Sequence, residues 1–392
     1  PIIFYGDVSS VPAKWQEFGN ELKTIWDHLQ EYIKHKKQAQ SPKRYVDQYV
    51  DQKLHHDSGS FNFKNLTEAC LRVYWPHHER NKWQGVNFGG WLLLEPGPSY
   101  PLFTNFGTPD NYAPDEYTLM LMHNNQDPSL TGALDMPRHR SEHITFDDFK
   151  KAKELGFNCV RIPFGYWIVT GATQGDTYVG PAMEYIDNAL TWAADVGLYV
   201  VLDLHGCPGG QSHEHPCGRN KPGWTWKDWR IVETLDVIDK LCERYAGNQQ
   251  IVGIQVANEP EEEVPLEVLV QFYESATNVV RKHMAAYEVA VIWPVYRTPR
   301  LDEIAGYMRK NEIWLRHDNI VLDLHYYHCF GGFDDLTHEQ HLEFARQHGD
   351  ILHSLPGSMV GEWSLARPDD EQLTDSQMIE WGITQMDSYA RS

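Results

Sequence analysis

Seven short runs rich in β-branched and apolar residues recur between Gly85 and Glu362, at Gly85–Phe88, Cys159–Pro163, Tyr199–Leu204, Val252–Ala257, Val289–Trp293, Ile320–His325 and Met359–Glu362. Between them, apolar residues follow helical spacing at Phe146–Leu155, Ala182–Val196, Trp229–Tyr245, Leu266–His283 and Leu336–Leu352. A strand that is apolar along its whole length has to be covered on both faces, and helices alternating with such strands supply the cover. The pattern therefore predicts a parallel sheet wrapped in helices. Seven strands at this spacing favour a (β/α)8 TIM barrel over a doubly wound open sheet, with the eighth strand missing.

A chain of 392 residues accommodates one such barrel with insertions. Residues 1–80 read differently from the rest. Trp15, Phe18, Leu22, Ile25, Trp26, Leu29 and Ile33 predict a helix over Lys14–Lys37, and a polar stretch from Gln38 to His56 follows. The expected organisation is a partly helical N-terminal extension, residues 1–80, and a barrel domain, residues 81–392. The net charge of −21 argues against a nucleic-acid partner held by phosphate neutralisation, whereas a neutral polysaccharide tolerates it. No apolar run is long enough for a membrane span. The extension and the acidic surface suit self-association or a protein partner.

Six cysteines are too few for a disulfide scaffold, and no Cys/His set has zinc spacing, so no metal is expected. Cys207 and Cys217, ten residues apart in a Gly/Pro/His-rich loop, are the best disulfide candidates, with free thiols as the alternative. Asn65-Leu66-Thr67 is a glycosylation sequon, and the chain begins at Pro1 rather than Met, which suits upstream processing or truncation. Together these lean towards an extracellular or secretory-pathway location.

Polar residues collect at the downstream ends of the apolar runs, where a barrel gathers its functional groups. Arg161 lies within the second run, His205 follows the third, Asn258-Glu259-Pro260 the fourth, and His325 and Tyr327 the sixth. Glu362 ends the seventh, in Gly361-Glu362-Trp363-Ser364, 103 residues beyond Glu259. Two carboxylates facing one cleft are the equipment of glycoside hydrolysis, in which one attacks the anomeric carbon while the other protonates the leaving oxygen and then activates water. Asn258 can donate to a sugar 2-hydroxyl. His325 and Tyr327, alternating across a strand end, can bond the nucleophile and nearby sugar hydroxyls, Arg161 can keep a nearby carboxylate ionised, and His205 can support the sugar or the acid/base pair.

The segment Trp83-Gln84-Gly85-Val86-Asn87-Phe88-Gly89-Gly90-Trp91-Leu92, followed by Leu94-Glu95-Pro96, resembles the opening of glycoside hydrolase family 5 enzymes related to fungal exo-β-1,3-glucanases. So do Val160-Arg161-Ile162-Pro163-Phe164-Gly165-Tyr166-Trp167, Leu202-Asp203-Leu204-His205-Gly206, Asn258-Glu259-Pro260, His325-Tyr326-Tyr327 and Gly361-Glu362-Trp363-Ser364. The resemblance implies Glu259 as acid/base and Glu362 as nucleophile. It places Arg161, His205, Asn258, His325 and Tyr327 around them, with Trp363 as further support and Glu95 holding the terminal glucose. It implies retention of configuration, carboxyl groups roughly 5 to 5.5 Å apart, a β-glucan or β-glucoside substrate, and neither metal nor organic cofactor.

Three departures bear on the substrate and the barrel. Gly97-Pro98-Ser99-Tyr100-Pro101-Leu102-Phe103 differs from the run expected after Leu94-Glu95-Pro96. The loop after His205 carries His213, His215 and Cys217, then Gly223-Trp224-Thr225-Trp226, which can reshape a sugar pocket. The helix-like stretch from Glu371 to Tyr389 should lead into an eighth strand bearing a Trp, but Ser392 comes first, through truncation or because the N-terminal extension fills the gap. β-1,3-Glucan leads as substrate, followed by β-1,6-glucan, another β-glucoside or a glycolipid. The alternative to an enzyme is a catalytically silent barrel serving as a carbohydrate-binding or structural subunit.

Overall fold

The computed structural model describes residues 83–390, apart from 100–101, 104–112, 126–133, 174, 297, 331, 356 and 369–372. The expected helix at Lys14–Lys37, the sequon and the whole N-terminal extension, residues 1–80, lie outside the described residues. Seven parallel strands pair strictly in sequence order: β1 (Gly85–Asn87), β2 (Cys159–Gly165), β3 (Tyr199–Gly206), β4 (Ile251–Gln255), β5 (Ala290–Tyr296), β6 (Ile320–Tyr326) and β7 (Ser358–Trp363). A doubly wound sheet reverses its strand order at a switch point. This sheet does not, and forms a nearly closed (β/α)8-type barrel with one strand missing between β7 and β1 among the described residues.

The helices are α1 (Glu116–Asn124), α2 (Met136–Glu142), α3 (Phe146–Glu154), α4 (Tyr166–Thr170), α5 (Met183–Val196), α6 (Ile231–Arg244), α7 (Leu266–His283), α8 (Thr298–Lys310), α9 (Ile313–Arg316), α10 (His338–His353) and α11 (Asp375–Tyr389). Their starts follow local chemistry. Thr145, Thr337 and Thr374 open α3, α10 and α11 with capping boxes closed by Asp148, Gln340 and Gln377, which satisfy backbone N–H groups that a helix start leaves over. Gly197 ends α5 in the left-handed region, at φ 71°.

The two faces of each strand have different fates. Val160, Ile162, Val200, Leu202, Leu204, Ile254, Val291, Trp293, Leu322 and Leu324 join the helices in one large apolar cluster. Burying each such side chain contributes about 1.5–3 kcal/mol. The alternate residues belong to a second, small cluster of Cys159, Val201, Val252 and Ile292, with Trp83 and Met359 packed against it. One pleat further along β1, β2, β3, β4 and β6 stand Asn87, Arg161, Asp203, Gln255 and Asp323, all buried. A polar layer therefore lies directly beneath the strand ends. β7 is only half-buried along most of its length, as suits a strand paired on one side among the described residues.

Candidate active site

Arg161 is the hub of the polar layer. Its Nε donates to Gln255 Oε1 at 3.0 Å, Nη2 to Asn258 Oδ1 at 3.0 Å, and Nη1 to Glu362 Oε1 at 2.9 Å and Asn87 Oδ1 at 3.3 Å, while Asp203 Oδ2 forms an ion pair with Nη2 at 2.9 Å. A guanidinium satisfied on every side keeps its charge in a buried place, and burial is outweighed by Asp203, Glu362 and Asp323, so its pKa is raised. Removing it would take a charge partner from both Asp203 and Glu362, at a cost of about 3–5 kcal/mol.

Glu362 is aimed by a bulge. The β6–β7 register runs Leu324 to Val360 and then His325 to Glu362, so Gly361 has no partner opposite it. Its N–H donates instead to Asp323 Oδ1 at 2.6 Å, and its carbonyl accepts from Asn87 Nδ2 at 3.1 Å. The next residue receives Arg161 on one carboxylate oxygen and the Tyr327 hydroxyl, at 3.0 Å, on the other. Burial alone would raise the Glu362 carboxyl. The charges of His325, Arg161 and His205 and the Tyr327 hydrogen bond outweigh it, and the group is held well below the usual carboxylate range.

Glu259 follows the end of β4 in the left-handed region, at φ 42°, a conformation that costs a non-glycine residue on the order of 1–3 kcal/mol. Its Oε1 meets His325 Nδ1 at 2.6 Å, while Glu362 Oε2 lies 3.7 Å from the same nitrogen. Burial, reinforced by the charge of Glu362, raises the Glu259 pKa against the pull of His325. Single ligating atoms of Glu259, His325 and Glu362 all lie within 4.8 Å of one another. One carboxyl is thus poised to hold a proton and its neighbour to shed one.

Each sequence-derived residue has a definite place. Asn258 accepts from Arg161, and its Nδ2 faces His205 Nε2 at 3.3 Å. His205 is held by Asp203 through Nδ1 at 2.5 Å, with Glu95 Oε1 3.9 Å from its Nε2. It therefore supports the Asn258 and Glu95 side of the cleft and makes no hydrogen bond to Glu259. Burial pushes the Glu95 carboxyl up to about 7, with His205 pulling the other way. His325 departs from expectation: its hydrogen bond goes to Glu259, because Arg161 and Tyr327 already occupy the two oxygens of Glu362. Trp363 is half-buried beside this group and packs edge-on to Tyr389.

The disulfide alternative for Cys207 and Cys217 gives way to free, buried thiols. Cys217 Sγ points at the carbonyls of Ser212 and Glu214, at 3.3 and 3.0 Å. In the same loop the expected pocket-former Trp224 is buried and donates to the Gly210 carbonyl. His213 lies with Glu214 and Glu261 at the rim, where its Nδ1 stands 3.1 Å from a Glu261 carboxylate oxygen. A cavity of about 240 Å³ behind this loop, lined by Tyr166, Tyr178, Cys207, Cys217 and Arg230, is separate from the paired carboxylates.

Sequence reasoning passed over Asp203, Asp323, Gln255 and Gln211. Gln211 ties two strand ends together, donating to the carbonyls of His205 and Asn258, both at 2.6 Å, and accepting from Cys207 N–H. The available signal was an acidic or amide residue at the inward phase of an otherwise apolar strand, twice within the tetrapeptide Leu-Asp-Leu-His.

A barrel with two supported carboxylates at its strand ends has the construction of a glycoside hydrolase. Residues 126–389 match the family model described as cellulase (glycosyl hydrolase family 5). The chain is 34% identical over 297 residues to a probable glucan 1,3-beta-glucosidase A of Aspergillus fumigatus, covering 73% of this chain and 66% of that protein. It is 31% identical over 300 residues to a glucan 1,3-beta-glucosidase of Pichia angusta, covering 74% and 66%. The chain belongs to glycosyl hydrolase family 5, and spans just under two thirds of the length of these relatives. Its fold is similar to that of a rutinosidase from Aspergillus niger, at a TM-score of 0.62 and 17% identity over 79% of this chain and 86% of that one.

Proposed function

We propose that the chain hydrolyses β-glucosidic bonds with retention of configuration, acting from the chain end on β-1,3-glucan. Glu362 is the nucleophile and Glu259 the acid/base. The observation that carries this reading is the pair itself: ligating atoms within 4.8 Å, one carboxyl kept ionised by Arg161 and Tyr327, the other raised by burial. Inverting enzymes separate their carboxyls by about 6.5–9.5 Å to admit a water, and oxygens approaching within 4.8 Å support the closer, retaining arrangement.

In the first step Glu362 attacks the anomeric carbon while Glu259 gives its proton to the departing oxygen. In the second, Glu259 takes a proton from water, which releases the sugar from Glu362. Asn258, oriented by Arg161, and Glu95, with His205 beside it, are the groups that meet sugar hydroxyls, and Trp363 offers an aromatic face. The names of the relatives at 31–34% identity support β-1,3-glucan over the β-1,6-linked and glycolipid alternatives. A polymeric substrate of this kind supports action outside the cell, at the cell wall, and residues 1–80 remain our proposed surface for a protein partner or self-association.

Product analysis on β-1,3-, β-1,4- and β-1,6-glucans tests the substrate and the exo mode. Glu362→Gln should lower turnover on the order of 10⁴-fold or more while leaving glucan binding largely intact. Undiminished turnover would sink the nucleophile assignment.

A further inference from the structure

The tetrapeptide Leu-Asp-Leu-His occurs twice, ending at His205 on β3 and at His325 on β6. In both copies the aspartate is fully buried and its carboxylate bonds the imidazole two residues on, Asp203 Oδ2 to His205 Nδ1 and Asp323 Oδ2 to His325 Nε2. The copies differ in what the other nitrogen meets. His205 Nε2 faces Asn258 Nδ2, whereas His325 Nδ1 meets Glu259 Oε1 at 2.6 Å. Asp323 is also clamped, since its second oxygen accepts the Gly361 N–H.

Resting on the assignment of Glu259 as acid/base, we infer that Asp323 is a positioning residue that selects the tautomer of His325 and thereby lets Glu259 carry its proton. With Nε2–H fixed on the Asp323 carboxylate, Nδ1 is the position that gains or loses a proton towards Glu259: the ring is charged when that proton sits on it, and presents its lone pair when the proton sits on the carboxyl. One proton then occupies the Nδ1–Oε1 contact, on the carboxyl or on the ring. When the glycosidic C–O bond breaks, its electron pair leaves with the oxygen, which takes this proton, and Glu362 forms the new bond to carbon. Glu259 and His325 are left as carboxylate and neutral imidazole. When water replaces Glu362 on carbon, the C–O bond to Glu362 breaks back to a carboxylate and the proton of water returns to Glu259. A ring protonated on Nδ1 alone would aim a donor at Glu259, hold it as a carboxylate and deny the leaving oxygen its proton.

The groups around the ring come from four further elements. Glu362 on β7 lies 3.7 Å from Nδ1, the Tyr296 ring on β5 is edge-on at 5.9 Å, and Tyr327 is engaged with Glu362. Arg161 on β2 acts on Asp323 by charge, and Glu259 follows β4. Among the described residues, Asp323 is the acceptor bonded to Nε2.

Asp323→Asn keeps an oxygen for the Gly361 N–H but turns an amide N–H towards Nε2, which selects the other tautomer, as an Asp-to-Asn change does in serine proteases. Two substrates separate the outcomes: laminaribiose, whose leaving sugar needs a proton, and dinitrophenyl β-glucoside, whose leaving group does not. We expect kcat/KM to fall about 10²–10⁴-fold on the first and less than about tenfold on the second. Asp203→Asn, an equally buried change, should affect both substrates by the same factor. Equal losses on both substrates for Asp323→Asn overturn the inference. Should that variant not fold, nitrogen NMR of the wild-type imidazole decides: once the imidazolium has lost one proton, the other should remain on Nε2, and a ring protonated on Nδ1 refutes the tautomer. A wild-type chain inert on both substrates refutes the proposed function instead, and the imidazole spectrum still decides the tautomer.

Discussion

Gly361→Ala tests how Glu362 is aimed. A Cβ at this position would lie within 2.5 Å of both carboxylate oxygens of Asp323. That carboxylate cannot swing away freely, because it is fully buried and bonded to His325 and to the Gly361 N–H itself. Forcing a methyl group into a packed interior costs about 1–3 kcal/mol. Loosening a hydrogen bond to a buried charged group costs about 1.5–3 kcal/mol more. The sum of the mid-range values is about 4 kcal/mol, and an unfolding entropy of about 2.1 cal/mol/K per residue over roughly 310 residues converts that to a melting midpoint lower by about 6 °C. Calorimetry of the two proteins at neutral pH measures it, and hydrolysis of an aryl β-glucoside well below the new midpoint reads the displacement of Glu362. A Gly361→Ala protein that melts within a degree or two of wild type and keeps full activity would refute both the bulge as the aiming device and the clamping of Asp323.

Two further outcomes follow from the charged groups. Tyr327→Phe removes one of the hydrogen bonds that hold Glu362 below the usual carboxylate range. The acidic limb of the pH–rate profile should therefore move to higher pH, while the alkaline limb, where activity falls as the raised Glu259–His325 proton is lost, stays in place; an unmoved acidic limb would contradict the assignment. Away from the cleft, His328, His341 and His348 pack among Tyr326, Phe333, Trp381 and Tyr389, with Arg367 and His338 beside them and Glu380 on the outer side of His338. Burial lowers His328 to about 3 and His348 to about 4. The unfolded chain then binds more protons than the folded one below the ordinary histidine value near 6.5, and stability falls with pH from there towards 4. By about pH 4.5 the loss from these two groups is on the order of 5 kcal/mol. His348→Phe, which preserves the flat stacking on Tyr326, should flatten the melting-temperature profile over that range, and an unchanged slope would refute the reasoning.

Much of the barrel was legible because its signals are local. The strand runs lie within two residues of the observed strands at almost every end, and the helix over Leu266–His283 coincides with α7. An apolar run of alternating β-branched residues can satisfy its backbone only by pairing on both sides, and an amphipathic helix can bury its face only against such a sheet. α8 was missed because Thr298–Lys310 is mainly polar, and the short helices between β1 and β2 because their insertion has no sustained period. Glu259 and Glu362 were legible as carboxylates ending strands, with Arg161, Asn258 and Tyr327 nearby for the same reason.

The sequence by itself determined the alternation, the order of the strands and which residues stand at their ends, since each depends on neighbours within a few positions. Only the tertiary structure decided that His325 serves Glu259, that Gly361 is a bulge pinned by Asp323 and Asn87, that Cys207 and Cys217 are free, and that Gln211 ties β3 to β4. Those choices are contacts between residues as far as 274 positions apart, and a buried polar group takes whichever partner the closing barrel brings within hydrogen-bond reach.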